Sequence, residues 1–232
     1  MSKIAIIPAR GGSKRIPGKN IKDFLGKPII AYSIEIALQS CLFDEVMVST
    51  DDRQIGEVAI KYGAKVPFYR SLNNSDDYTG TGDVVFEVLN EYQKIGIEFE
   101  KGCCIYATAP LLTTRRLKES YDLFCNNQFD TVFSIVKFSS PIWRSYKIEV
   151  DTSISMIFPE IVTKRSQDLS PSYHDAGQFY WFYSSKLLKL NNKNIFGIKK
   201  GAIVLNELEA QDIDTFEDWK MAELKVKLLK GL

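Results

Sequence analysis

Apolar runs alternate with amphipathic stretches through the first half of the chain. Lys3–Pro8 is a short apolar run followed at once by glycine and charge, which predicts a buried strand ending in a loop. Lys27–Ser40 repeats its apolar positions at helical spacing, with Ile29, Ile30, Ile34, Ala37 and Leu38 on one face and Pro28 in the first turn. Val46–Thr50 predicts a second strand, and Asp51 or Asp52 then caps a helix that ends at Gly63. Val66–Tyr69 is short and extended, and Thr81 can cap a helix carrying Val84, Val85, Val88, Leu89 and Tyr92. Cys103–Thr108 then reads as strand, Thr114–Cys125 as helix and Thr131–Val136 as strand again. Near-continuous apolar strands separated by helices predict an α/β domain whose mostly parallel sheet is covered on both faces.

The rhythm breaks between Ser139 and Asp175. Tyr146–Val150 and Ser155–Phe158 are extended with turn residues between them, which predicts an inserted β-hairpin or small β lobe over 139–175. Strands at Gln178–Tyr183 and Ala202–Leu205 follow, then an amphipathic helix over Thr215–Leu229. The 232 residues suit a single domain, 1–232, with one sizeable core. The net charge of +1 gives no electrostatic case for nucleic acid or a membrane surface. No run approaches the ~20 apolar residues of a membrane span. The N-terminal segment is expected to be a core strand rather than a signal peptide. Cys41, Cys103, Cys104 and Cys125 show neither metal-ligand spacing nor a disulfide framework. Buried free thiols, and hence a reducing compartment such as the cytoplasm, are the expectation.

Candidate chemistry concentrates at the end of the first strand. The segment Pro8-Ala9-Arg10-Gly11-Gly12-Ser13-Lys14-Arg15-Ile16-Pro17-Gly18-Lys19-Asn20 joins paired glycines to Arg10, Lys14, Arg15 and Lys19. Glycines let the backbone approach a ligand closely and turn N–H groups toward it, and the cations supply charge for a triphosphate or pyrophosphate. Five residues separate Gly12 from Gly18, and Asn20 stands where a Walker loop needs a hydroxyl, so this is not a Walker cradle. Nor does it fit a dinucleotide fingerprint. Near the other end, Asp212-Ile213-Asp214 puts two carboxylates on one side of an extended segment at a strand-to-helix junction. Such a pair suits Mg²⁺ completed by phosphate oxygens and water. Alternatively Asp214 is the N-cap of the last helix, with Asp218 in its first turn.

The opening loop and the run Glu209–Thr215 resemble the acylneuraminate cytidylyltransferases, and the resemblance extends over nearly the whole chain. It implies a Rossmann-like nucleotidyltransferase sheet and a reaction joining CTP to a nonulosonic acid, giving CMP-sugar and pyrophosphate. It implies that Arg10, Gly11, Gly12, Ser13, Lys19 and Asn20 bind the phosphates of CTP. Arg10, Lys19, Asp212 and Asp214 would then carry catalysis, with Mg²⁺ on the two aspartates. Phe68-Tyr69-Arg70 and the following loop resemble the cytosine enclosure, which gives Arg70, Thr79 and Thr81 to the base. Tyr106-Ala107-Thr108-Ala109-Pro110 aligns with a stretch that usually reads Gln-Pro-Thr-Ser-Pro, so Tyr106 replaces a substrate-touching glutamine while Thr108 keeps its place. The segment from Lys164 to Trp181 resembles the acceptor-sugar region, with Arg165, Gln167, Tyr173 and Gln178 as substrate contacts. Arg165 is placed to grip the sugar carboxylate. His174, the only histidine, is open between a structural and a catalytic role. His174-Asp175-Ala176-Gly177-Gln178-Phe179-Tyr180 departs from the sialate pattern and resembles the pseudaminate branch of the family. In this family the insertion builds a homodimer and reaches the partner's active site. N-acetylneuraminate or 3-deoxy-manno-octulosonate as acceptor, and a CTP-binding module without chemistry, are the competing readings.

Overall fold

The apolar runs of the first half lie side by side in a single sheet. The computed structural model describes residues 2–76, 78–189, 197 and 199–231. Up to the middle of the chain the elements are β1 (Lys3–Pro8), the short pair β2 (Asp23–Phe24) and β3 (Lys27–Pro28), α1 (Ile29–Ser40), β4 (Glu45–Ser49), α2 (Arg53–Lys61), α3 (Thr81–Lys94), β5 (Lys101–Ile105) and α4 (Thr114–Asn126). There follow β6 (Thr131–Lys137), the pair β7 (Tyr146–Ile148) and β8 (Ile154–Met156), β9 (Tyr173–Tyr183), α5 (Ser184–Lys189), β10 (Lys200–Leu205) and α6 (Phe216–Lys230).

The six-stranded sheet has the order β10-β6-β9-β5-β1-β4. Pairs β1/β4, β1/β5 and β10/β6 are parallel, whereas β9 runs antiparallel to both β5 and β6. The reversal has a consequence for function. The beginning of β9 lies at the edge where the other five strands have their carboxyl ends, the edge at which open α/β sheets bind ligands.

Successive residues of β1 serve opposite faces. Ala5 and Ile7 pack with α1, α2 and α4 through Ile30, Ile34, Ala37, Ile55, Ala59, Leu117 and Phe124. Ile4 and Ile6 pack with α3 and α5 through Val85, Val88, Leu89, Tyr92 and Leu187. Both faces are therefore covered, which explains why the strand sequences are apolar throughout. A third cluster seats α6 against the loops. Trp219, Ala222 and Val226 meet Phe24, Ile29, Tyr32, Ile16 and Ile213.

Several boundaries differ from the sequence expectation. The first helix begins at Ile29, because Lys27 and Pro28 pair with Phe24 and Asp23. Gly80, not Thr81, is the N-cap of α3, and Thr81 is its first helical residue. The fifth strand ends at Ile105, so Tyr106 to Thr108 lie in the turn beyond it. Residues 66–69 form no strand; an isolated Met47–Lys65 bridge ties the start of that segment to the sheet edge, and the Arg70 N–H donates to the Thr50 carbonyl at its end. Strand β9 begins at Tyr173, five residues ahead of the Gln178 expected, because its first three residues run out of the core and carry polar or exposed side chains. Among the cysteines, Cys103 and Cys104 are buried, Cys125 is half-buried and Cys41 is exposed, all as free thiols.

Candidate active site

Two clefts open at this sheet edge. The first, about 240 Å³, lies over the loop that follows β1 and is lined by Arg10, Ser13, Lys14, Arg15, Lys19, Asn20, Arg70, Thr79, Thr81, Tyr106 and Thr108. The loop is held from behind. The Gly11 N–H donates to Asp51 Oδ1 at 2.9 Å, and a Cβ at Gly11 would stand 2.7 Å from Asp52 Oδ2, so only glycine fits there. Asp52 itself caps α2, accepting from the N–H groups of Gln54 and Ile55. Neither glycine lines the cleft: the Gly11 N–H is already engaged, and Gly12 is exposed with open space beside it. Gly18 takes φ 62° and starts the turn Lys19–Ile21. Asn20 Nδ2 donates to the Arg10 carbonyl at 2.9 Å, which ties the two ends of the loop together.

The far wall comes from the segment around Arg70. Its Nε donates to Ser49 Oγ at 3.1 Å and another guanidinium nitrogen donates to the Ser49 carbonyl, fixing Arg70 against the end of β4. Burial lowers its pKa, but a guanidinium stays charged in a protein. Asp76 organises the neighbouring turn. Its Oδ1 accepts from the Thr79 N–H and Thr79 Oγ1, each at 2.7 Å, while its carbonyl accepts from Arg10 at 3.0 Å.

Asp212 and Asp214 flank Ile213, whose side chain is buried in the third core cluster, so both carboxylates are turned outward. Lys19 reaches across to them. Its Nζ donates to the Ile213 carbonyl at 2.7 Å and lies 3.8 Å from Asp214 Oδ1, while Arg15 meets the same oxygen at 2.8 Å. Burial lowers the Lys19 pKa, and the charges of Asp214 and Asp212 oppose that. Asp212 opens to solvent on one side, yet desolvation, and then the Asp214 charge, raise its pKa. The helix that follows does not use Asp214 as its cap. Thr215 is the N-cap of α6, and Asp218 closes a capping box with it and also accepts the Asp214 N–H at 3.1 Å. The Asp214 carboxylate is therefore free of capping duty and faces the basic loop. Among the described residues no three His, Cys, Asp or Glu side chains converge to hold an ion unaided. Mg²⁺ needs no such cluster, since one or two carboxylates serve when phosphate and water complete its shell, and this donor pair beside a polycationic loop fits that use.

The second cleft adjoins the acidic pair and is lined by Val136, His174, Asp175, Ala176, Glu207, Gln211, Asp212, Asp214, Asp218 and Lys225. Asp175 Oδ1 accepts the Gly177 N–H and its Oδ2 accepts the Tyr180 hydroxyl, both at 2.8 Å. His174 Nδ1 lies 2.9 Å from the Asp175 carbonyl, and its ring packs 4.8 Å from that of Phe138. Lys225 Nζ donates to the carbonyls of Glu207 and Ala210, holding the acidic segment to α6.

The remaining acceptor-side residues are placed differently. Gln178 is buried beneath the edge, where its Nε2 donates to the Glu209 carbonyl at 2.6 Å and its backbone oxygen accepts from Tyr106. Its Oε1 has no partner among the described residues. Arg165 pairs with Asp168 at 2.8 Å, Gln167 and Tyr173 are exposed, and none of the three lines either cleft of this chain. Sequence reading did not single out Arg15 as a partner of Asp214, Asp51 as the anchor of Gly11, or Asp175 and Tyr180 as a bonded pair. Arg15 had a signal in its place among the loop cations, and Asp175 and Tyr180 in a stretch that departs from the sialate pattern.

Comparison with known proteins bears on the family and the fold. The sequence model of the family described as cytidylyltransferase matches residues 4–225. The chain is 46% identical over 228 residues to the pseudaminic acid cytidylyltransferase of Campylobacter jejuni, covering 98% of this chain and 97% of that protein. It is 32% identical over 237 residues to the CMP-N,N'-diacetyllegionaminic acid synthase of Legionella pneumophila, covering 98% and 97%. Among solved structures, CMP:2-keto-3-deoxy-manno-octonic acid synthetase complexed with CTP superposes with a TM-score of 0.70 at 19% identity over all of both chains. The 4-diphosphocytidyl-2C-methyl-D-erythritol synthase of Anaerococcus prevotii follows at 0.65 and 15% identity, covering 97% of this chain and 98% of its own. At such identities the two structures speak for the fold.

Proposed function

The chain belongs to the cytidylyltransferase family, and on that premise we propose that it joins CTP to a nonulosonic acid, pseudaminic acid first among them, releasing pyrophosphate. The observation that carries this reading is the Lys19 side chain, which spans from the basic loop to the Asp212–Asp214 segment and so sets a triphosphate cradle beside a carboxylate pair. The anomeric hydroxyl of the acid attacks the α-phosphorus and gives its proton to solvent, the new oxygen–phosphorus bond forms, and the bond to pyrophosphate breaks in line. Arg10, Arg15 and Lys19 face the charge that develops on the leaving pyrophosphate, held there before reaction by Asp76, Asp214 and Ile213. Asp212 and Asp214 are the residues to hold Mg²⁺, which when bound offsets triphosphate charge. Arg70, Thr79 and Thr81 form the proposed base pocket, with Ser13 and Asn20 at the phosphates and Gly11 anchoring the loop behind them.

The second cleft is the proposed acceptor site, because it shares Asp212 and Asp214 with the phosphate side. The hairpin of β7 and β8 presents Ile148, Val150 and Ile154 to solvent, and Val162 beyond it is exposed too, an apolar surface suited to a second copy of the chain. In such a homodimer Arg165 and Gln167 would serve the partner's acceptor site rather than their own. The free thiols suit a reducing compartment such as the cytoplasm, and among the described residues no helix is long and apolar enough to cross a membrane.

Turnover with each of the four nucleoside triphosphates tests the base assignment. CTP is expected to support pyrophosphate release, with UTP, ATP and GTP far less effective. Equal turnover with UTP would refute a cytosine-reading pocket. For the phosphate assignment, Arg10→Ala and Lys19→Ala are each expected to raise KM for CTP about tenfold or more, since a hydrogen bond to a charged group contributes on that order. Thermal denaturation should stay close to the parent for Arg10→Ala, whose side chain lines the cleft rather than the core. An unchanged KM in either variant would remove that cation from the cradle.

A further inference from the structure

We propose that the ion pair between Arg116 of α4 and Glu209 is a positioning device: it sets where the segment 206–212 crosses β9, and so where the Asp212 carboxylate stands relative to Asp214. The inference rests on the role proposed above for that acidic pair. Glu209 opens the acidic run 209–215 yet lines neither cleft. Arg116 Nε meets Glu209 Oε1 at 2.9 Å and a second guanidinium nitrogen meets Oε2 at 2.6 Å, which closes a fork. Oε1 also accepts from Arg115 at 3.3 Å, and Oε2 accepts the Asn206 N–H at 2.9 Å. The Arg116 bonds outweigh burial and hold the Glu209 carboxyl below its ordinary range, so it stays an ionised acceptor. Its side chain is only 14% exposed, which sets this fork apart from solvated surface pairs of small effect.

The pair acts on the backbone that carries Asp212. The Glu209 carbonyl accepts Gln178 Nε2 of β9 at 2.6 Å. Ala210 packs with Val136 and Ala176, and its carbonyl accepts Lys225 Nζ of α6 at 2.8 Å. Gln211 accepts from the same ammonium and donates to the Asp212 carbonyl, both at 3.0 Å. The Asp212 carboxylate lies over Gly177, where a Cβ would stand 3.9 Å from its Oδ1. Gly177 and Gln178 are successive residues of β9, so holding Glu209 at Gln178 holds Asp212 at Gly177. Asp214 is secured from the other side, its N–H on Asp218 and its carboxylate on Arg15. The two carboxylates thus have separate anchors, with the buried Ile213 as the pivot between them. Releasing Glu209 should let Asp212 swing away from Asp214 while α6 keeps its cap. Arg116 and Glu209 are positioning residues, and neither needs to touch a substrate.

The test is a double-mutant cycle on kcat, measured by pyrophosphate release at saturating CTP, Mg²⁺ and pseudaminic acid. Glu209→Gln sets an amide donor against the N–H groups of Arg116 and Asn206, and Arg116→Met removes the fork. Each is expected to lower kcat about tenfold or more, because a small misplacement caused far from the chemistry costs at least that much. The same substitutions made in Asp212→Asn should cost less than about twofold further, since the group they position is already gone. A binding readout accompanies the rates. CTP is titrated with Mg²⁺ and with a chelator; the cation should tighten CTP binding in the parent, and several-fold less in Glu209→Gln. A merely structural role would lower kcat equally in both backgrounds or leave the Mg²⁺ effect on CTP affinity unchanged, and either result overturns the proposal. Should these variants fold poorly, Arg116→Lys decides, because it keeps the charge and loses the fork. Its kcat should fall with an unchanged thermal midpoint, and a parental kcat overturns the proposal. A parent that makes no CMP-sugar, or Asp212→Asn as fast as the parent, overturns the reading of the acidic pair together with this one. An active parent and an impaired Asp212→Asn, with Glu209→Gln and Arg116→Met at the parental rate, overturn the positioning role alone.

Discussion

Asp212→Asn and Asp214→Asn are each expected to lower kcat by ~10²-fold or more while leaving the fold intact, because each removes a charged ligand from the proposed metal position at the transferring phosphoryl group. The structure makes the test cleaner than sequence alone suggests. Thr215 and Asp218 cap α6, and Ile213 anchors the segment in the core, so neither carboxylate is needed to start the helix or to pack the loop. The two variants should nonetheless differ in their secondary effects. Asp214→Asn also takes away the charge that Arg15 meets at 2.8 Å and Lys19 at 3.8 Å, so it should disturb the phosphate loop and raise KM for CTP. Among the described residues Asp212 pairs with no cation, and its loss should appear in kcat with KM nearly unchanged. Rates in both variants close to wild type, measured by pyrophosphate release at saturating CTP, would leave the pair without a catalytic role.

The second large effect concerns the acceptor. N-acetylneuraminate is expected to be used at least ~10²-fold less efficiently than pseudaminic acid, since an unpaired hydrogen bond in a sugar pocket can cost that factor. The residues that set this chain apart from the sialate pattern lie along the wall between the clefts. Tyr106 replaces an amide with a phenol and is tied to Thr81 at 2.8 Å, and Asp175 presents a carboxylate already oriented by Gly177 and Tyr180. Such a wall is rigid because its polar atoms are mutually satisfied, and a sugar of different configuration would have to break one of those bonds. Comparable kcat/KM values for the two acids would leave a general CMP-nonulosonate synthetase.

Much of this arrangement could be read from residue order. The strand before the loop, the glycines and the cations are local features, and a loop at the end of a buried strand lies at the ligand-binding edge of an α/β sheet. The register of distant parts was not legible. Lys19 and Ile213 are 194 positions apart, and nothing in either segment announces the bond between them. Their meeting follows from Ile16 and Ile213 sharing the core beneath α6, a packing event with no periodic signature. The direction of β9 was hidden for a different reason. Buried on both faces, it reads like its parallel neighbours, and its antiparallel direction follows only from its insertion between β5 and β6. That direction is what brings Asp175 to the same edge as Asp212. Asp214 as a possible N-cap was a fair reading of sequence, since an aspartate just ahead of a helix caps it more often than not, but Thr215 one residue later takes the role. Arg165 and Gln167 illustrate a further limit, because both lie away from the clefts of their own chain and nothing in the sequence around them says so.

The central claim is the transfer itself, and identification of its products tests it most directly. The protein is incubated with CTP, Mg²⁺ and pseudaminic acid, and the mixture is followed by mass spectrometry alongside pyrophosphate release, with N-acetylneuraminate and 3-deoxy-manno-octulosonate in parallel. One CMP-pseudaminic acid formed for each pyrophosphate released is the predicted result. Bound CTP with neither product, or pyrophosphate released with CMP in place of a CMP-sugar under every acid, would contradict it.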